Sequence, residues 1–277
     1  KLGNVPLKIV LGNHDGELGY STFNTKKYRA EYFPEQTSEL SYYSFEGPDQ
    51  LHICLDPFTF TTTAPKADGW EWTLGKTQYD WLKTTLEQSK ARHKFVYIHH
   101  LLVGDAQSRG GIEIAKRNEW GGLNSDGTSG FVQNRAGWYK PIKDLLTENR
   151  VTIFFHGHDH FFAKQDKDCL IYQETPQPSH PVFATANQAT EYGYVKGEIY
   201  PNTGHLRVNV SADGVKVDYV RAYLPKNETA TRKNRDISAT YFIGAKNCYD
   251  EKTNNLVLWN SNYINEIVYP NPAQQRT

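Results

Sequence analysis

Six of the ten histidines in this 277-residue chain fall in three places: His14, the pair His99 and His100, and the set His156, His158 and His160. Imidazole is the commonest protein ligand for zinc, iron and other transition metals, and its pKa near neutrality also suits proton transfer. Each place follows a short apolar run that reads as a buried strand: Leu7 to Leu11, Lys94 to Ile98 and Val151 to Phe155. In open α/β sheets the ligand crevice lies at the carboxyl ends of the strands. Three strands delivering imidazoles to one edge therefore predict a converging metal site. His158 and His160 would project the same way from an extended segment, so both can reach one metal pair. A single histidine at a strand end is ordinarily a hydrogen-bonded core or surface residue. Three such places together favour metal binding.

The elements that must position these residues alternate through the first 160 residues. A mildly helical stretch from Thr25 to Phe33 stops at Pro34, and Ser41 to Glu46 and Leu51 to Asp56 read as strands joined at Gly47-Pro48-Asp49. Tyr79, Leu82 and Leu86 give one apolar face to a helix over Lys76 to Ser89, and Trp138, Ile142, Leu145 and Leu146 give another. Between these helices, Gly104 to Gly137 holds eight glycines and no sustained period, a long loop of the kind that is usually functional. Its Arg109 and Arg117 suit a substrate wall, because arginine pairs well with phosphate oxygens. After residue 160 the pattern turns to short strands, at Leu170 to Tyr172, Pro181 to Ala184, Leu206 to Val210, Val215 to Arg221 and Thr240 to Ile243. The Val215 to Arg221 alternation predicts a half-exposed hairpin arm. The fold class is α/β, with residues 1–225 as the main domain and 226–277 as a polar extension.

Composition narrows the partners. Thirty-one basic residues balance thirty-one acidic ones, so the cationic field that a nucleic-acid or anionic-membrane surface needs is missing. No run approaches the ~20 apolar residues of a spanning helix, and 13% aromatic content argues against disorder. Three scattered cysteines, Cys54, Cys169 and Cys248, lack the spacing of a zinc or redox motif and allow one disulfide or three thiols. Asn209 and Asn227 fit the glycosylation pattern, which by itself identifies nothing.

Gly12-Asn13-His14-Asp15, His99 at a strand end, and Gly157-His158-Asp159-His160 resemble, in order, the last three motifs of the calcineurin-like metallophosphoesterases, which include the purple acid phosphatases. Arg109-Gly-Gly, Glu119-Trp-Gly-Gly and the stretch from Tyr172 to Ser179 further resemble a bacterial, mostly extracytoplasmic group of that superfamily. The resemblance implies a four-layer α/β/β/α sandwich. It also implies hydrolysis of phosphate esters at a dinuclear centre of divalent or trivalent transition-metal ions (Fe, Zn or Mn), with a hydroxide bridging the two ions as nucleophile. Carried over, Asn13, His99 and His158 bind one metal and His160 the other. His14 stabilises the transition state or protonates the leaving oxygen, and Asp15 holds its ring. His100 is an alternative to His99 and, with Arg109, a substrate-binding candidate. The substrate is a small-molecule or nucleotide phosphate ester.

One departure is serious. The superfamily opens with Asp-x-His and Gly-Asp, which supply two carboxylates and a histidine, and neither motif lies among the eleven residues before Gly12. The chain also lacks methionine entirely. The expectation is therefore the C-terminal portion of a longer enzyme, weak in metal binding and activity by itself. The rival expectation is an inactive fragment or pseudoenzyme used for binding or assembly. Ile267-Val-Tyr-Pro-Asn-Pro272 resembles the opening of a C-terminal sorting domain, in keeping with a periplasmic or secreted bacterial protein. Substrate choice, metal identity and oligomeric state stay open.

Overall fold

The computed structural model describes residues 5–13, 41–61, 69–103, 109–244, 247–250 and 255–258. Helix predictions between residues 25 and 33, and His14 and Asp15, lie outside the described residues.

Strands β1 (Tyr43–Gly47) and β2 (Gln50–Cys54) form the expected hairpin, turned at Pro48-Asp49 with Asp49 at φ 59°. Helix α1 (Gly75–Gln88) buries Gln78, Tyr79, Leu82 and Leu86 along one stripe, while Lys76–Asp80 and Lys83–Glu87 pair at i, i+4 on its outer face. It leads into β3 (His93–Tyr97), and α4 (Ile142–Glu148) leads into β4 (Ile153–His156). Strands β5 (Phe162–Lys167), β6 (Leu170–Glu174) and β7 (Glu198–Tyr200) complete a mixed seven-stranded sheet in the order β1-β2-β3-β4-β6-β5-β7. Its middle, β2-β3-β4-β6, is parallel. The carboxyl ends of those four strands therefore share one edge.

The two faces of this sheet bury against different partners, as the period of two requires. Val96, Phe154 and Tyr172 join Leu82, Leu86, Leu145 and Leu146 in the larger core. Phe95, Ile153, Phe155 and Ile171 instead meet Val215, Val217 and Ile243. The latter three belong to a second, antiparallel sheet, β10 (Ile237–Ile243), β9 (Val215–Arg221) and β8 (Gly204–Val210). Helix, large sheet and small sheet thus form three successive layers among the described residues. Strand β10 carries this fold past residue 225, to Ile243. Two further strands, β11 (Asn247–Asp250) and β12 (Asn255–Leu258), pair with one another.

Several expectations are corrected. Leu7 to Leu11 joins no ladder among the described residues: β1 reaches it through a side chain, the Tyr43 hydroxyl donating to Ile9 O at 2.8 Å. Pro181 to Ala184 is not a strand, for Pro181 has no N–H and His180 Nδ1 accepts the Val182 N–H at 3.1 Å. Trp138 precedes α4 rather than starting it. The described part of the 104–137 excursion is folded, with short helices α2 (Asn118–Gly121) and α3 (Phe131–Asn134) and bridges at Leu123. Strand β9 is buried at six of its seven positions, because it is central in its sheet and Arg207 and Lys216 pair with Asp218. Strand β5 was not anticipated, since Gln165 at 0% exposure interrupts any apolar alternation.

Gly75 starts α1 at φ 70°, and a Cβ there would lie 2.4 Å from the Phe60 ring. We expect Gly75→Ala to destabilise the fold by roughly 1–3 kcal/mol in urea unfolding, from positive φ plus overpacking. A neutral result would mean that the helix entry is not strained.

Candidate functional site

The shared carboxyl edge of β2, β3, β4 and β6 carries most of the chemistry-bearing side chains. Strand β3 ends into Ile98-His99-His100 and β4 into His156-Gly157-His158. The two loops are tied to each other by Ile98 N–H to Phe155 O at 3.1 Å and Gly157 N–H to His99 O at 2.8 Å. Those ties bring His99 and His158 face to edge, ring centroids 4.9 Å apart.

His99 Nε2 is the hub of the site. It lies 2.7 Å from Asn13 Oδ1 and 3.0 Å from His158 Nδ1. One imidazole proton cannot serve an amide oxygen and a second ring nitrogen equally, so lone pairs of one oxygen and two nitrogens converge on a small volume. Such a convergence of N and O donors is what a borderline transition-metal ion rewards. Among the described residues no group of three or more His, Cys, Asp or Glu is arranged to hold a metal, so the donor set seen is this amide and two imidazoles. The residues present fit one face of a metal site.

The remaining expected residues are placed as follows. His160 sets its ring beside His180, centroids 5.9 Å apart. His100 is 1% exposed, with both ring nitrogens lacking a hydrogen-bond partner among the described residues, packed edge-on to Trp72 at 4.4 Å. Burial first, then the facing charges of His99, His158, His156 and Arg109, hold its pKa well below the ordinary value. Its ring packs against both Trp72 and His158. Arg109 is tied to the same turn: its Nη1 donates to His158 O at 2.9 Å and to Asp159 Oδ1 at 3.1 Å, and its guanidinium lies 4.3 Å over the Tyr192 ring.

The segment bearing His158 and His160 is a turn, not the extended stretch the residue spacing suggested. His158 and His160 sit at φ 84° and 64°, conformations that cost about 1–3 kcal/mol each and persist only where their surroundings over-determine them. The surroundings do. Asp159 Oδ2 accepts the Gly110 N–H and the Tyr194 hydroxyl, each at 2.8 Å, and the Asn202 amide donates to His160 O. Glu174 Oε1 accepts the Asp159 N–H at 3.0 Å. Sequence reasoning gave Glu174, Tyr194 and Asn202 no role; Glu174 stood only within the Tyr172 to Ser179 stretch of the resemblance. Asp56 also reaches this edge from β2. Its carboxylate is taken by the Phe58 and Thr59 N–H groups and the Ser41 and Thr59 hydroxyls, a local turn lock.

Beneath the turn, His156 Nδ1 lies 2.8 Å from Glu174 Oε2, both side chains buried. This is ion-pair distance without hydrogen-bond geometry at Oε2. Burial pushes His156 down to about 3, and burial plus the Asp159 charge pushes Glu174 well above the carboxylate range. The folded pair therefore carries one proton and no net charge. From the ordinary values of 6.5 and 4.5, the unfolded chain holds none of these protons above about pH 6.5, one between about 4.5 and 6.5, and two below. We expect the pair's contribution to stability to be flat across that window and to fall on either side by up to about 1.4 kcal/mol per pH unit. Urea unfolding of the wild type and Glu174→Gln checks it: the variant should lose the decline above pH 6.5. Equal declines would mean that Glu174 is ionised in the fold.

The layered arrangement of a mixed seven-stranded sheet on a second, antiparallel sheet has counterparts among solved structures. The solved structure of PhoD shares it at a TM-score of 0.50, with 13% identity, over 75% of this chain and 42% of that chain. Looser likenesses are to GAP50, described as the anchor in the inner membrane complex of Plasmodium (TM-score 0.45, 12% identity, 76% of this chain and 56% of that one), and to the purple acid phosphatase PPD1 from yellow lupin (Lupinus luteus) seeds (0.47, 12%, 85% and 40%). No protein-family model and no curated protein matches the sequence. The chain spans between 40% and 56% of the length of these structures. At such identities the likeness is one of fold.

Proposed function

We propose that this chain belongs to a metal-dependent phosphoester hydrolase in which Asn13, His99 and His158 hold one transition-metal ion and His160 serves a second. The observation that carries the reading is the approach of His99 Nε2 to Asn13 Oδ1 and His158 Nδ1. An N/O donor set of this kind suits Fe, Zn or Mn. When bound, such ions would polarise phosphoryl oxygens and offset the charge that develops in an in-line displacement.

The chain's own residues have separable tasks. Asn13 contributes a neutral oxygen, which keeps the site positive enough to attract a phosphate ester. His99 and His158 orient each other through their edge-to-face contact. His14 stabilises the transition state or protonates the leaving oxygen, with Asp15 its orienting partner, roles that sit one and two residues beyond Asn13 in the sequence. The described donors include no bridging carboxylate, so the reading places the carboxylates of a two-ion centre outside the described residues. The substrate is a small-molecule or nucleotide phosphate ester, and the hydrolase domain runs through β10 to Ile243.

An oxidising, extracytoplasmic location is part of the same reading. Cys169 is disulfide-bonded while Cys54 is a buried free thiol, and structural disulfides persist outside the reducing cytosol. Among the described residues no helix is long and apolar enough to cross a membrane.

Metal content and turnover of p-nitrophenyl phosphate and bis(p-nitrophenyl) phosphate test the proposal, comparing this chain with the same protein extended upstream. The expected result is two ions and hydrolysis in the extended protein, with weak uptake and little turnover in the short one. Full activity of the short chain would remove the need for upstream carboxylates. No metal and no turnover in either would leave a binding or assembly role.

A further inference from the structure

Glu174 is the least expected member of the site. It closes β6 opposite His156 in the β4–β6 register and is fully buried. A carboxyl group in an apolar core is costly to keep there unless its oxygens are used. Oε1 takes the Asp159 N–H at 3.0 Å, and the His160 N–H also hydrogen-bonds this carboxyl group. Oε2 faces His156 Nδ1. These two peptide groups belong to the turn whose His158 and His160 adopt left-handed conformations. The opposite rim is fixed separately, by Arg109 on His158 O and by Gly110 and Tyr194 on the Asp159 carboxylate. A turn in that conformation, bearing two imidazoles, is thus clamped between a carboxyl group below and a guanidinium and phenol at the side.

We propose that Glu174 is a positioning residue: its carboxyl group holds the Asp159 and His160 peptide N–H groups and thereby sets the orientation of the His158 and His160 imidazoles. Its role toward metal rests on the function proposed above, whereas its hold on the turn does not. Gln at this position keeps an oxygen for the two N–H groups and offers an N–H to His156, so it should substitute. Ala, or Leu of similar volume, leaves both peptide groups without an acceptor.

The test uses the whole chain in two conditions. Without metal, NMR amide exchange at Asp159 and His160 is expected to rise about 100-fold in Glu174→Ala and to stay within a few-fold of wild type in Glu174→Gln, with Val217 and Tyr219 in β9 as the control for folding. Should the alanine variant lose the β9 control as well, Glu174→Leu carries the same comparison. With metal, calorimetric titration of Zn²⁺ into the upstream-extended protein is expected to weaken by about 10–100-fold in Ala or Leu and to be retained in Gln. Unchanged exchange at the two turn amides in a folded Ala or Leu variant overturns the proposal, as does Gln behaving like Ala. An upstream-extended wild type that takes up no Zn²⁺ would overturn the proposed function instead, while the exchange comparison would still decide the role of Glu174.

Discussion

Replacing His99 by alanine in the upstream-extended protein is expected to lower metal affinity by roughly 100-fold or more and phosphoester turnover at least as far, while leaving the fold in place. The size follows from geometry. His99 Nε2 is the atom that both Asn13 Oδ1 and His158 Nδ1 approach, so its loss removes one donor and leaves the other two without the group that brings them together. His99 is half-buried and follows the end of β3 rather than lying inside it, so the sheet loses little. Metal analysis, turnover and a thermal melt on one preparation check the prediction. A variant with wild-type metal content would show that His99 is a packing residue. His100→Ala is the contrast: it deletes a buried ring between Trp72 and His158 and should cost mainly stability.

The largest effect on stability is expected at Trp120, which the sequence placed in an irregular loop. Its side chain is fully buried, 4.5 Å from the Phe154 ring, and its indole N–H donates to the Tyr172 hydroxyl at 3.1 Å. The neighbouring Glu119 carboxylate, also fully buried, takes the Leu74 N–H at 2.7 Å and the Arg135 guanidinium. Trp120→Ala should therefore cost about 3–5 kcal/mol, a large share of the ~5–15 kcal/mol of an ordinary domain. A fall in Tm of about 10 °C or more is expected by calorimetry. A shift of only a degree or two would mean that the excursion is dispensable to the core.

How much of this was legible follows the physics of each element. The parallel strands β3 and β4 and the helices before them were readable because apolar residues recur at fixed periods, and the histidines then fell at strand ends by simple adjacency. Leu7 to Leu11 has the same apolar run, yet a ladder needs a neighbouring backbone, which composition cannot supply. The region from Arg109 to Gly137 was read as irregular because its order comes from long-range polar anchors, such as Glu119 with Leu74 and Trp70 with Asn124, and these leave no periodic trace. In the site, the residue types were legible and the backbone was not. Gly157-His-Asp-His announced imidazoles, but the positive φ at His158 and His160 depends on distant partners of Asp159: Glu174, fifteen residues later, accepts its N–H, and Tyr194, thirty-five later, donates its hydroxyl to the carboxylate. The hold of Arg109 on this turn was hidden for the same reason, since its partners His158 and Asp159 are some fifty residues away in sequence.

The central claim, that Asn13, His99 and His158 share one transition-metal ion, is tested most directly by X-ray absorption at the zinc edge of the zinc-loaded, upstream-extended protein and its His158→Ala variant. The account predicts imidazole scattering from at least two histidines at about 2.0–2.1 Å in the wild type, with one histidine lost in the variant. Identical spectra from the two proteins, or a wild type whose zinc shows no imidazole neighbours, would contradict it.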